Sequence, residues 1–308
     1  MPLDLGERTY ETTLGDLAEA DHRIVVMTAE NRAMLRNLPT RLGRRFIDTG
    51  ISEQTLVGAA AGLARFGRIP VVHALAAFLT MRAFEFIRTD VGISGLPVKL
   101  VGFVPGLLSD ANGPTHQAIE DIALMRQIPG MRVFSPSDRR ELLSALPAIV
   151  ADPHPWYIRY IDTDPVGEHS PFEPGTARRL RSGLDATILT HGLMCAPALE
   201  AAGILAADGF EVGVVDMRTL SPVDRAAVLG GLTAPLCVVV EDHLATGGLL
   251  GIVAETALAA AVTGRVLPIT LGESWFRPGP LSAVARHHGL DAQGLAVRIR
   301  SELMGVRP

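Results

Sequence analysis

The strongest constraint on the fold is an alternation that runs through the chain twice. Short runs of β-branched residues are each followed by a longer stretch with helical periodicity. That order implies βαβ units and a mostly parallel sheet. In the first series, strands are expected over 23–27, 45–48, 69–72, 97–101, 131–134 and 156–160. Helices are expected over 53–64 with Ser52 as N-cap, then over 78–91, 116–128 and 137–150. The stretch from Asp162 to Gly183 breaks the pattern with three prolines and few apolar residues. A second series then places strands over 186–190, 212–216, 236–240 and 266–269, with helices over 196–208, 224–232 and 249–262. The expected fold class is α/β, with two consecutive doubly wound domains. The domains are expected at residues 1–165 and 184–308, joined by a linker over 166–183.

Composition narrows the function classes. Hydrophobic residues make up 48% of the 308 residues, enough for substantial cores and too many for a disordered chain. The net charge of -5, without a basic run, argues against a nucleic-acid binder. Cys195 and Cys237 cannot build a disulfide framework and read as small buried hydrophobes of a reducing compartment. The opening residues are polar and acidic, unlike a signal peptide. The apolar stretch from Leu244 to Val262 carries Thr246, Glu255, Thr256 and the pair Gly247-Gly248, so it reads as a buried helix rather than a membrane span. A cytoplasmic α/β protein is the expectation.

Several residues could carry chemistry. Glu53 follows the expected N-cap Ser52, where an acidic residue suits the helix dipole. The same position could instead hold a carboxyl group in a poorly solvated crevice, and spacing alone does not separate the two. Gly58 and Gly62, four residues apart on that helix, would permit a close neighbour. A Gly113-Pro114 turn delivers His116 to the expected start of a helix, in either a proton-transfer or a capping role. The other histidines are scattered, and no Cys-x-x-Cys occurs, so the chain is not expected to build a metal site alone. No Gly-x-Gly-x-x-Gly follows a strand, and no phosphate-loop or Gly-x-Ser-x-Gly motif is present. Gly247-Gly248 could cradle an anion or permit tight packing. Arg82, Arg88 and Arg159 could bind an anion, and Arg159 stands out because it lies within an apolar strand where an unpaired charge is costly.

Taken together, these residues resemble a known family. The run from Phe46 to Gln54, FIDTGISEQ, resembles the N-x-G-I-x-E-Q signature of thiamine-diphosphate enzymes. The run from Phe78 to Thr89 looks like the next block of transketolases, and Gly113 to Arg126, GPTHQAIEDIALMR, resembles the one after. In the second domain, Thr190-His191-Gly192, Val214 to Pro222, Glu241-Asp242-His243 and Gly247-Gly248 are similar to the family's C-terminal domain. The resemblance covers nearly the whole chain but only the pyrimidine-binding and C-terminal domains. No Gly-Asp-Gly motif of the diphosphate-binding domain occurs. It therefore implies the C-terminal subunit of a split transketolase, completed by a separate N-terminal subunit that carries the diphosphate-binding domain and most of the Mg²⁺ site, in an expected α2β2 heterotetramer.

Further roles follow only from this resemblance. Glu53 takes the place of the glutamate that bonds the aminopyrimidine ring of thiamine diphosphate, sharing a proton with it so that the thiazolium carbon can be deprotonated. Phe78 matches the aromatic stacked on that ring, and Phe84 is expected to line the pocket. His116 matches the histidine near the substrate's first two oxygens. Arg159 matches a phosphate-contacting arginine, Arg82 is expected to bind substrate, and Arg8 matches a further arginine less clearly. Asn112 stands where relatives usually carry Asp, Val104 where they carry a phosphate-binding histidine, and Leu75 where they carry an aromatic. These departures suggest a ketol-transfer enzyme with an altered substrate. The rival readings are the β-subunit of a 2-oxoacid dehydrogenase, a carboligase like 1-deoxyxylulose-phosphate synthase, and a non-catalytic assembly subunit.

Overall fold

The computed structural model describes residues 8–305, so the outermost residues of both expected domains fall outside the description. Twelve strands are present among the described residues. The first six are β1 Ile24–Thr28, β2 Phe46–Asp48, β3 Ile69–Leu75, β4 Lys99–Phe103, β5 Arg132–Phe134 and β6 Trp156–Arg159. The remainder are β7 Arg178–Arg181, β8 Ala186–Thr190, β9 Val212–Asp216, β10 Thr219–Ser221, β11 Cys237–Val240 and β12 Val266–Ile269. They form two sheets, ordered β10-β5-β6-β4-β3-β1-β2 and β12-β11-β8-β9-β7. All pairings are parallel except β10 with β5 and β7 with β9. The α/β reading with two mostly parallel sheets is thus what the chain adopts.

The antiparallel pairs are the two features that alternation did not signal. Strand β10 comes from the second half of the chain but completes the first sheet, pairing Thr219 with Phe134. Strand β7 lies inside the Pro-rich stretch that the sequence reading gave to a linker, and it closes the edge of the second sheet beside β9. Both are short, and β7 is rich in arginine, so neither has the apolar run that marks a buried strand.

The apolar cores follow from this layering. One face of the first sheet packs Val26, Val71, Val101, Trp156 and Ile158 against Leu14, Leu38 and Leu142 from its flanking helices. The opposite face contributes Met27, Val72, Leu100 and Tyr157 to a core that continues into Leu189, Val215, Val239 and Ile252 of the second half. The outer face of the second sheet buries Ile188, Val214 and Val238 against Leu205 and Ile299. Cys195 and Cys237 are both free and buried. No described helix is long and apolar enough to cross a membrane.

Two expected helices differ in detail, and one region holds helices that were not expected. The stretch expected as one helix over 78–91 is a π-helix at Phe78–Arg82, a short α-turn at Phe84–Phe86 and a second π-helix at Ile87–Gly92. Such π segments insert an extra residue and re-aim side chains, often at functional sites. The stretch expected over 116–128 is helical only at Asp121–Arg126. Gly113 at φ +73° begins a turn over 114–116 and Ala118 then bridges to Gly106, so the helix starts only at Asp121. Residues 281–303, where no helix was expected, hold two, Leu281–His287 and Ala292–Leu303.

His73 illustrates how a polar residue is accommodated in this core. It is fully buried on β3, with Nδ1 2.9 Å from the Met27 carbonyl and Nε2 2.8 Å from the Tyr10 hydroxyl. In that arrangement Nδ1–H donates to Met27 and the Tyr10 O–H donates to Nε2. Burial depresses its pKa to about 4. Between pH 6.5 and 4 the unfolded chain therefore binds more protons than the folded one, so stability falls as the pH falls through that window. The expected loss is about 3 kcal/mol. Urea unfolding across pH 4–7 should show this acid slope in the native chain and a flatter one in His73→Asn. Equal slopes would show that His73 does not govern it.

Candidate active site

The candidate site lies where β2 and β3 deliver their carboxyl ends, the usual location of ligands in open α/β sheets. After β2, Gly50 turns the chain at φ +71° and the helix Glu53–Arg65 begins. Ser52 occupies the N-cap position but does not cap. Its hydroxyl donates to the Thr49 carbonyl at 2.9 Å and so fixes the turn instead. Glu53 is only 2% exposed.

After β3, the π-helix Phe78–Arg82 brings two side chains to that carboxylate. Arg82 Nη1 donates to Glu53 Oε2 at 2.8 Å. The same guanidinium lies over the Phe78 ring, 4.3 Å from its centroid. Phe78 in turn meets the His116 ring edge-on at 5.1 Å. Glu53, Arg82, Phe78 and His116 therefore form one continuous cluster, from three segments far apart in sequence. Ala76, Ala77 and Ala118 pack beneath Phe78, and their small side chains leave room for the ring. Thr115 Oγ1 lies 2.8 Å from His116 Nδ1, which leaves Nε2 as the ring nitrogen not engaged by Thr115.

The remaining expected site residues fall elsewhere. Asn112 is exposed, at the end of the 3₁₀ segment Leu107–Asn112, and its amide lies 3.4 Å from Ser109 Oγ. Phe84 is half-buried and packs on the central core. Arg8 forms an ion pair with Asp16. Arg159 is fully buried, with Nε 3.0 Å from Asp121 and Nη1 2.9 Å from Asp242. Tyr157 donates to the same Asp121 carboxylate at 2.6 Å. The strand context flagged the cost of an unpaired charge at Arg159, and the structure meets that cost with two carboxylates rather than an open pocket. Asp121 and Asp242 stood in the sequence only as members of family-like runs, with no role given to either. Their signal would have been the need to neutralise that arginine.

Gly247-Gly248 also finds its use inside the protein. A side chain at Gly248 would come within 2.2 Å of Glu241 Oε2. The start of the helix Leu249–Ala260 instead receives that carboxylate, through Leu249 N at 2.7 Å and Leu250 N at 2.9 Å. The anion the helix start could cradle is the chain's own. Among the described residues there is no group of three or more His, Cys, Asp or Glu placed to hold a metal ion.

The donor set suits the aminopyrimidine of thiamine diphosphate. A buried carboxylate, an aromatic face and a histidine converge, and a heteroaromatic amine can bond to the first while stacking on the second.

Residues 7–162 match the model of the transketolase pyrimidine-binding domain, and residues 175–295 match that of the transketolase C-terminal domain. The chain is 38% identical over 268 residues to a 6-deoxy-6-sulfo-D-fructose transketolase subunit of Clostridium sp. (strain MSTE9), covering 85% of this chain and 82% of that one. It is 35% identical to the 1-deoxy-D-xylulose-5-phosphate synthase of Syntrophotalea carbinolica, covering 95% of this chain but 47% of that enzyme. Among solved structures, a split-gene transketolase described as an inactive β4 tetramer superposes with a TM-score of 0.86. It is 33% identical, and the match covers 97% of this chain and 98% of that one.

The buried pairing of Arg159 makes a direct prediction. Arg159→Met should lower stability by about 3–5 kcal/mol, because Asp121 and Asp242 would be left without their counter-charge. Chemical unfolding measures this. A change below 1 kcal/mol would show that the arginine is dispensable to the fold.

Proposed function

Because the chain belongs to the transketolase family, we propose that it is the C-terminal subunit of a thiamine-diphosphate-dependent ketol-transfer enzyme. In the reaction, the C2–C3 bond of a ketose breaks, the shortened aldose leaves, and the two-carbon unit forms a new C–C bond to an aldehyde acceptor. The exchange is redox-neutral. The observation that carries the reading is the convergence of buried Glu53 with Phe78 and His116.

Thiamine diphosphate, when bound, supplies the carbon nucleophile and electron sink of the reaction. Glu53 is the residue to hold and share the proton at its aminopyrimidine ring, and burial of that carboxyl excludes competing water. Phe78 orients the ring by stacking. Arg82 lies over the Phe78 ring and is partly exposed, so it would have room to give way if the pyrimidine stacked on that face. His116, through Nε2, would hydrogen-bond a substrate oxygen and pass a proton to it. Asn112 can hydrogen-bond a substrate hydroxyl if the Leu107–Asn112 segment borders the substrate path.

The diphosphate and Mg²⁺ are assigned to a separate N-terminal subunit, within an α2β2 assembly in the cytoplasm. Two features support a partner. Glu53 opens a helix that is flanked by two exposed apolar residues, Ile51 before its N-cap at 70% and Phe66 at its C-cap at 89%. Gly62 on the same helix has nothing within 4 Å of where a side chain would begin, so a second surface could approach closely. The likeness to a split-gene transketolase chain supports the same reading. A carboligase of the 1-deoxyxylulose-phosphate-synthase kind is the second reading, favoured by the 35% identity to such an enzyme.

The test is co-expression with a neighbouring gene that encodes a Gly-Asp-Gly…Asn domain, with thiamine diphosphate and Mg²⁺ supplied. Transfer from a ketose donor to glycolaldehyde is expected, and Glu53→Gln should lower kcat by about 10²–10⁴-fold. Unchanged turnover in Glu53→Gln would remove the catalytic reading, and turnover that requires pyruvate would favour the carboligase. The isolated chain is expected to bind thiamine diphosphate weakly or not at all by calorimetry. Tight binding would contradict the divided cofactor site.

A further inference from the structure

A second cavity opens at the same end of the first sheet. It measures about 310 Å³ and lies over the carboxyl ends of β3 and β4. Met34, Leu75, Phe103, Val104 and Leu108 make its apolar wall, and Asn31, Tyr160 and Thr163 are its uncharged polar members. Two segments tie it to the candidate site. Leu75 ends β3, three residues before Phe78. Val104 leads into Gly106, which bridges to Ala118, two residues beyond His116.

The lining decides which ligand fits. Among the described residues that line it there is no lysine, arginine or histidine, and Asp162 is its charged member. The neighbouring arginines are already engaged, Arg139 with Asp162 and Arg32 with Asp48 at 2.5 Å. Side chains alternate along a strand, so Arg159 points to the opposite face of the sheet from Tyr160. Its guanidinium meets Asp121 and Asp242 there. Behind the cavity, Phe103 and Tyr160 pack edge-on with ring centroids 4.8 Å apart, and His73, uncharged near neutrality, stacks on Phe103. An anion placed here would lose its water and gain no counter-charge.

Val104 adds a second observation. It is a β-branched residue at φ +48°, a backbone region that such side chains rarely enter. Strain of this kind persists where surrounding structure enforces it, commonly at ligand sites.

We propose that this cavity binds the tail of the aldehyde acceptor, and that the tail it takes is uncharged and alkyl or aryl in character. The assignment rests on the ketol-transfer reading given above. It is tested with the complex of this chain and its N-terminal partner, loaded with thiamine diphosphate and Mg²⁺. Three acceptors are compared: glycolaldehyde, butanal and glyceraldehyde 3-phosphate.

Butanal is expected to exceed glyceraldehyde 3-phosphate in kcat/KM by at least about tenfold, most of it in KM. Leu75→Arg, which places a cation in the wall, is expected to move that ratio at least about tenfold toward the phosphate. Transfer to glycolaldehyde with a native preference for the phosphate would overturn the pocket assignment alone. A Leu75→Arg ratio equal to that of the native complex would do the same. Absence of transfer to glycolaldehyde would overturn the ketol-transfer reading and the pocket assignment together.

Discussion

A guanidinium sealed away from water must be neutralised by the protein itself, and the placement of Arg159 sets much of this architecture. Its two carboxylates come from opposite halves of the chain, Asp121 from the first and Asp242 from the second. Gly106 makes the meeting possible, since a side chain there would come within 1.7 Å of Asp242 Oδ2. A second set of buried charges lies along the same seam. Arg178 on β7 reaches Asp216 on β9 at 3.1 Å, and Ser137 and Glu141 of the first half lie beside it. Burial, and then the neighbouring Glu141 carboxylate, pushes the pKa of Asp216 well up. Charge pairs of this kind contribute little net stability over apolar contacts, but they penalise any other docking of the two halves.

The fold was legible because alternation is a strong signal. Each buried parallel strand needs an apolar run, and each crossover needs a helix, so period and order can be read directly. Strands β7 and β10 escaped that reading because each is short and carries too few apolar residues to mark a run, even though Leu220 of β10 joins the central core. The helix over 78–91 was legible as helical, but its π segments were not. They depend on one extra residue accommodated by packing, which leaves no mark in the hydrophobic pattern.

The candidate site was only partly legible. Glu53 could be singled out from its place after a strand and turn, yet spacing could not say whether it faced water. Burial and the contact with Arg82 were decided by a segment 29 residues away. Phe78 needed the resemblance, and for His116 the Gly113-Pro114 turn left proton transfer and capping open until the resemblance chose between them. Arg159 shows the reverse case. The sequence logic that a charge in an apolar strand must be paired was sound, and it described the structure better than the substrate-contact role carried over by resemblance.

Strand β10 has a consequence for how the chain can be divided. The second half lends a strand to the first sheet, and the central apolar core runs unbroken from Val72 to Val239. Removing either half altogether, with the division between residues 163 and 176, would free the edge of β5 and open that core. The freed edge would present unpaired backbone groups, ready to pair with another chain. The halves are two by topology but one by cooperativity. A proteolytic nick in the Pro-rich connection should therefore leave the pieces associated, whereas expressing either half alone should yield a sticky fragment.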